Sequence, residues 1–338
     1  MPKKITIAEV AKEAGVSIAT VSRVLNQRSD KIKISEETAL AVRLAATRLG
    51  YQADPFAVAL RSRRSGLFGA IIRDIRDPFL VKLYIRLQKL ARASEIELLL
   101  GHADYDLAVA DRQARIMGNL WFDALILLGD IPGDRSMIQQ LKQYHKPCVA
   151  VACGLREDIA SITIDEEAGT NLALDYLVSL GHQRIACIGD PNAIGIQERL
   201  KHYQEYVGAH QLTFEEGYLR ECANHRLEAA CCALELMQLP NPPTAIFCGS
   251  DLMAMGVINQ LHRCGRMDVS VIGFDDIDES AEVFPALTTI RQPVEEFAKL
   301  AIQMALEMLE NPAGKNIPNQ TLIKPELVIR ESCSPLKQ

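Results

Sequence analysis

From Leu67 onward the chain alternates short apolar runs with longer amphipathic stretches, and few architectures accommodate that alternation. The runs lie at Leu67–Ile72, Glu97–Leu100, Ala124–Leu128, Cys148–Ala152, Ser161–Ile164, Arg184–Ile188, Ala245–Cys248, Val269–Ile272 and Leu287–Ile290. They are strand-length, and most carry apolar residues at consecutive positions, as strands buried on both faces do. Between them fall helix-length segments at Phe79–Ala93, Leu107–Leu120, Ser136–Tyr144, Glu166–Leu180, Gln197–His210, Arg226–Leu239, Asp251–Cys264 and Pro293–Leu309. Strand–helix units in series produce parallel sheets with helices on both faces. So many units predict two sheets rather than one, and ligands in such folds bind beyond the carboxyl ends of the strands.

The first 65 residues have a different texture. Thr6–Leu25 reads T-I-A-E-V-A-K-E-A-G-V-S-I-A-T-V-S-R-V-L. Thr6 and Glu9 have the spacing of a capping box. Gly15 supplies the left-handed residue that stops a helix, and Ser17 caps a second one. Val10, Ala11, Val21, Val24 and Leu25 fall on inward faces, whereas Ile18, Ala19, Ser22 and Arg23 fall on the outward face of the second helix. A third helix follows from Ser35 to about Leu49, with Leu40, Val42, Leu44 and Ala45 expected to close a small three-helix core. A helix of this size, entering by its N-terminus, suits a DNA major groove.

Charge supports that reading. The net charge is −6, yet residues 1–65 hold 12 Lys/Arg against 6 Asp/Glu, leaving 25 basic and 37 acidic residues elsewhere. A basic head on an acidic body is the footprint of a tethered nucleic-acid reader. No apolar run is long enough for a membrane span, and the start lacks a signal-peptide core, so a cytoplasmic location is expected. The nine cysteines include no C-x-x-C pair, and several sit in strand-like runs, which predicts buried thiols rather than disulfides or zinc. The acidic run Asp275–Glu279 lacks the glycine and terminal glutamate of a calcium loop. There is no G-x-S-x-G, H-E-x-x-H, phosphate loop or nicotinamide fingerprint, so neither enzymatic activity nor a metal or other cofactor is expected.

The N-terminal stretch resembles the lac-repressor (LacI/GalR) family of bacterial transcription regulators, whose signature is close to T-x-x-x-V-A-x-x-A-G-V-S-x-x-T-V-S-R-x-L-N. Thr6, Val10, Ala11, Ala14, Gly15, Val16, Ser17, Thr20, Val21, Ser22, Arg23, Leu25 and Asn26 match it. Further matches are D-I-R-D-P-F at Asp74–Phe79, G-H-Q-R-I-A-C-I at Gly181–Ile188, the segment Thr244–Gly256, V-S-V-I-G-F-D-D at Val269–Asp276 and Pro285–Pro293. The resemblance implies an N-terminal all-α helix-turn-helix domain plus an α/β periplasmic-binding-protein-like core of two parallel-sheet subdomains. The implied division is a DNA-binding domain at 1–50, a hinge helix at 51–65 and an effector-binding, dimerising core at 66–338. Within the core, one subdomain covers about 66–163 and 291–319, the other about 164–290 and 320–335.

The implied function is a dimeric repressor on a pseudo-palindromic operator, controlled by a small molecule in the cleft. By the resemblance, Ile18, Ala19 and Arg23 read bases while Thr6, Ser17, Thr20, Ser22 and Asn26 complete the DNA face. Leu60 matches a hinge leucine that wedges into the minor groove, and Arg61 faces phosphate. For the cleft, Asp77, Phe79, Arg199, Ser250, Phe274 and Asp275 are the candidates, with Asp251 expected to serve as a helix cap. His202 replaces a family glycine. The stretch D-I-R-D-P-F-L, with L-L-G-D at Leu127–Asp130, most resembles the cytidine-repressor branch and implies a nucleoside; a sugar is the other candidate. The competing reading is a solute-binding receptor that reads no DNA.

Overall fold

The computed structural model describes residues 5–25, 34–51, 64–119, 122–131, 133, 135–154, 156, 158–311 and 320–336. Two compact units divide at Ser65/Gly66. The first holds α1 (Ile7–Glu13), α2 (Ile18–Leu25) and α3 (Glu36–Leu49). Val10, Ala11, Val21, Val24, Val42, Ala45 and Ala46 form its core. Leu40 and Leu44 do not join it: both are more than half exposed, because the inward face of α3 runs through Val42, Ala45 and Ala46 instead. Gly50 ends α3 at φ +65°, a conformation that costs glycine little.

The second unit begins with β1 (Leu67–Ile72), α4 (Pro78–Ala93), β2 (Glu97–His102), α5 (Leu107–Asn119) and β3 (Ala124–Leu128). It continues through α6 (Arg135–Gln143), β4 (Cys148–Val151), β5 (Ala160–Ile164), α7 (Glu166–Ser179) and β6 (Ile185–Gly189). Then come α8 (Ile194–Ala209), β7 (Leu219–Glu221), α9 (Arg226–Met237), β8 (Ala245–Cys248), α10 (Asp251–Arg263) and β9 (Ser270–Asp275). A single 3₁₀ turn at Asp278–Ala281 precedes β10 (Thr288–Arg291), α11 (Val294–Glu310), β11 (Gln320–Ile323) and β12 (Glu326–Val328).

The strands make two six-stranded sheets, ordered β11-β5-β4-β3-β1-β2 and β12-β10-β9-β8-β6-β7. Every pairing is parallel except β12 against β10. Each sheet is covered on both faces by apolar clusters. Phe68, Leu83, Leu87 and Phe297 lie on one face of the first sheet, and Ile71, Leu125, Ile138 and Leu141 on the other. Ile246, Val257 and Leu261 cover one face of the second, and Leu174, Tyr203, Phe247 and Phe274 the other.

Two expectations need correction. β11 pairs with β5, from Gln320 opposite Ser161 to Ile323 opposite Ile164, so residues 320–323 belong to the first sheet rather than to the second subdomain. The chain therefore returns to the second sheet only at β12. Arg291, placed in the first subdomain from sequence, ends β10 in the second sheet. The short edge strands β7, β11 and β12 carry exposed positions and little apolar pattern, which hides them from a periodicity reading.

Helices α9 and α10 approach closely at Gly256, where a Cβ would lie 2.0 Å from the carbonyl oxygen of Arg226. The obstacle is backbone, so side-chain rotation cannot relieve it. Gly256→Ala is expected to cost on the order of 1–3 kcal/mol or more, measured as a lowered denaturant midpoint with an unchanged m-value.

Candidate functional site: a reading head and an inter-subdomain cleft

In the head, the two N-terminal caps are built as the sequence suggests. Glu9 N–H donates to Thr6 Oγ1 at 3.4 Å, and Thr6 N–H donates to Glu9 Oε2 at 2.7 Å. Thr20 N–H donates to Ser17 Oγ at 3.1 Å, and the two hydroxyls pair at 2.9 Å. Thr6, Ser17 and Thr20 thus spend hydroxyl capacity on helix ends. Gly15, at φ +66°, turns the chain between α1 and α2. Val21 and Val24 anchor α2, leaving Ile18 about half exposed and Ala19 exposed, while Ser22 and Arg23 are half-buried. Asn26, Leu60 and Arg61 lie outside the described residues.

In the second unit, a cavity of about 50 Å³ lies beyond the carboxyl ends of the strands of both sheets. Asp77, Phe79, Arg199, Ser250 and Asp275 all line it. Phe274 does not. Its ring is fully buried beneath Arg199, whose Cζ sits 3.5 Å from the ring centroid, so it supports the arginine from below. Phe79 borders the cavity but is only 5% exposed and packs edge-on against Phe297, leaving little face for stacking.

The arginine is held on all sides. Arg199 donates through Nε to Glu166 Oε2 at 2.6 Å, through Nη2 to Glu166 Oε1 at 3.1 Å and through Nη1 to the Gly249 carbonyl at 2.6 Å. Asp275 Oδ1 lies 3.6 Å from Nη1 and accepts from Gln292 at 2.7 Å. Burial raises the Glu166 and Asp275 carboxyls above their usual range, against the opposing pull of Arg199. Asp275 also sits at φ +118°, which is strained for a residue with a side chain. From that position Asp275 lines the cleft.

Asp251 is not the cap of α10. Ser250 holds that position, its Oγ accepting from Met253 N–H at 3.2 Å and donating to Asn224 Oδ1 at 2.6 Å. Asp251 turns inward, fully buried, and accepts from Ser280 Oγ at 2.6 Å, Ile277 N–H at 3.0 Å and the Thr289 hydroxyl. It ties the start of α10 to the 3₁₀ turn and to β10. His202 on α8 has a side chain only 14% exposed, with Nδ1 2.9 Å from Glu205, while the neighbouring Tyr203 is buried and donates to the Ile185 carbonyl.

The sequence reading missed Arg73, Asp130, Glu166, Asn224 and Gln292, all of which line the cavity. Arg73 follows β1 and Asp130 follows β3 within two residues, so strand-end position was the available signal. Of possible cation ligands, Asp74, His102 and Asp104 bring their donor atoms within 4.8 Å of one another. Arg76 already spans the two carboxylates, at 2.9 Å to Asp74 and 2.5 Å to Asp104. In the run Asp275–Glu279, Asp276 is held by Arg291 and Arg330 at 2.7 and 2.6 Å.

Residues 6–54 match the family described as bacterial regulatory proteins, lacI family, and residues 174–333 match the periplasmic binding protein-like domain. Over 97% of the chain, it is 31% identical to the HTH-type transcriptional repressor CytR of Escherichia coli (strain K12), covering 96% of that protein. The chain belongs to the lacI family. It is also 29% identical to the transcriptional regulator DegA of Bacillus subtilis (strain 168), over 98% of the chain and 99% of the relative. The lac repressor dimer bound to operator and the anti-inducer ONPF superposes with a TM-score of 0.86, at 25% identity, over 98% of this chain and 99% of that one. As a lacI-family member the protein is a DNA-binding transcriptional regulator with a two-subdomain core; the receptor reading without DNA recognition is set aside. No helix among the described residues is long and apolar enough to cross a membrane.

The buried acid makes a signed prediction. Burial pushes Asp251 up to about 7 despite its three donors. An acid whose folded pKa lies above its unfolded value binds more protons folded than unfolded between the two. Its contribution to core stability should therefore fall as pH rises from about 4 to about 7. Thermal unfolding should show this slope, and Asp251→Asn should flatten it.

Proposed function

We propose that this lacI-family protein is a cytoplasmic homodimeric repressor. It would read a pseudo-palindromic operator through two copies of the head and be controlled by a nucleoside or a sugar bound in the cleft. The observation that carries the reading is the pairing of a capped, outward-facing α2 with a charged inter-subdomain cleft in one chain. In each half-site α2 enters the major groove. Ile18 and Ala19 contact base edges, Arg23 offers a bidentate fork to guanine, and Ser17, Thr20 and Ser22 contact phosphate with Thr6 and Asn26 flanking. An α-helix such as α2, about 10–12 Å across with its side chains, fits a major groove about 12 Å wide. Leu60 acts as a minor-groove wedge and Arg61 as a phosphate contact beside it.

The second copy would sit on an exposed apolar groove. Leu227, Leu234 and Phe284 are exposed around a groove between α9 and α10, with Leu227 and Phe284 more than two-thirds exposed. Large exposed apolar side chains gathered in one place mark an association surface. The lac repressor structure, a dimer on its operator, supports the same assembly here.

For control, the cavity of about 50 Å³ is far below the roughly 300 Å³ at which small-molecule sites begin. A nucleoside or sugar enters only if the subdomains part. Contacts that hold them together include Lys82, which donates to the Asp276 carbonyl at 3.1 Å and pairs with Asp278 at 2.7 Å. Binding would change the angle between the sheets and hence the spacing of the two heads. That is coupling between two sites through two states.

Binding selection on randomised duplexes, repeated with nucleosides and sugars, tests the proposal. A palindromic consensus whose recovery changes with one ligand is expected; no enriched sequence under any condition would overturn it. Arg23→Ala should reduce discrimination between operator and random DNA by about 1–3 kcal/mol. A flatter salt dependence without lost discrimination would make Arg23 a phosphate contact. Leu60→Ala should weaken operator binding while effector affinity stays unchanged, measured by fluorescence anisotropy and calorimetry.

A further inference from the structure

The cleft contains a second arginine that neither the motifs nor the family resemblance singled out. Arg73 follows β1, lines the cavity and has a side chain only 11% exposed. Its Nη2 pairs with Asp77 Oδ2 at 2.5 Å, and its Cζ lies 5.4 Å from the ring centroid of Tyr105. Gly129, at φ +77°, leaves room for it: a Cβ there would lie 3.3 Å from Arg73 Cβ and 3.4 Å from Cζ. The guanidinium is thus fixed by an ion pair, an aromatic neighbour and a shaped gap.

Its Nε–H is not among the donors so matched. Arg73 Nε is buried and has no hydrogen-bond partner among the described residues. The contrast with Arg199 is direct, because Arg199 uses Nε, Nη1 and Nη2 on protein acceptors. A buried N–H without an acceptor is costly, and native structures rarely leave one unless a ligand or water supplies it. Arg73 itself lines the site that would take the effector.

The surrounding charge limits what can supply the acceptor. The cavity wall holds Arg73 and Arg199 against Asp77, Asp130, Glu166 and Asp275. Both arginines are already matched by carboxylates, so a phosphate or carboxylate entering here meets no unmatched cation and faces a surplus of acids. A hydroxyl or carbonyl oxygen meets neither objection, and its own O–H or N–H groups find those acids as acceptors.

We infer that Arg73 is a specificity-determining residue of the effector site, whose Nε–H takes a neutral ligand oxygen and whose acidic surroundings reject phosphorylated or carboxylated ligands. This rests on the reading of the cleft as the effector site. It deepens that reading by naming the anchor on the first subdomain, facing Arg199 and Asp275 on the second. A ligand oxygen held by Arg73 on one side and by the second subdomain on the other would couple occupancy to the angle between the sheets.

The test is ligand-induced thermal stabilisation of the full chain. The probes are ribose, galactose, cytidine and adenosine, each alongside a charged counterpart: ribose 5-phosphate, galacturonate, cytidine monophosphate or adenosine monophosphate. Two variants are compared with wild type. Arg73→Lys keeps a cation for Asp77 but lacks the planar Nε–H, and Arg73→Met removes both. The expected result is that a neutral probe stabilises wild type and its charged counterpart does not. Arg73→Lys and Arg73→Met should both bind that probe about 10-fold more weakly or worse, with the melting temperature of unliganded Arg73→Lys showing that it folds. Wild-type affinity in Arg73→Lys, with loss only in Arg73→Met, would overturn the inference while leaving the cleft reading intact, because Arg73 would then merely balance Asp77. Stabilisation by charged probes alone would overturn the charge argument. No stabilisation by any probe, in protein that still binds operator, would overturn both the inference and the effector class on which it rests.

Discussion

A parallel sheet must be covered on both faces, because its crossover helices lie against it and its strands are apolar throughout. This requirement sets the order of elements from Leu67 onward and fills the four apolar clusters of the core. It also has a geometric by-product. All parallel strands of a sheet end on the same side, so the loops after β1, β3, β6, β8 and β9 gather there. Charged residues that no apolar layer could accept collect at those ends. The cleft is where two such edges meet: Arg73, Asp77, Asp130 and Ser250 come from positions beyond a strand, and Asp275 is the last residue of one.

The charges in the cleft are organised around cost. A buried guanidinium is tolerable only when its donors are matched. Arg199 meets that condition within one subdomain, through Glu166, the Gly249 carbonyl, Asp275 and the Phe274 ring. It is therefore a prepared surface rather than a mobile arm, and its role toward a ligand is set by what its carboxylate partners still offer. Asp251, one residue from Ser250, plays a comparable part below the surface. It accepts three hydrogen bonds from the 3₁₀ turn, its flank and β10, so it joins the start of α10 to that turn and to β10.

The head is the opposite case. It has a core of few residues and no buried charge among its described residues, and its order comes from caps and small apolar contacts. Thr6–Leu25 could be read almost residue by residue, because capping boxes, a left-handed glycine and helical spacing are local rules. The same rules misplaced Leu40 and Leu44. Spacing alone names two candidate faces on α3, and only packing against α1 and α2 chose the one through Val42 and Ala45.

What the sequence determined by itself was whatever depends on neighbours along the chain: the helix caps, the strand–helix alternation, the basic head, and the family to which the motifs point. Asp77, Arg199 and Asp275 were legible because they lie in such motifs at strand ends or on a patterned helix. The tertiary structure decided the rest. It put β11 beside β5, since a short edge strand is placed by its partner and not by its own pattern. It sent Phe274 beneath Arg199 and Asp251 into the core, and gave the cap of α10 to Ser250. It also brought Arg73, Glu166 and Gln292 together from distant parts of the chain. Burial and charge matching are properties of the assembled sheets, and no local stretch contains them.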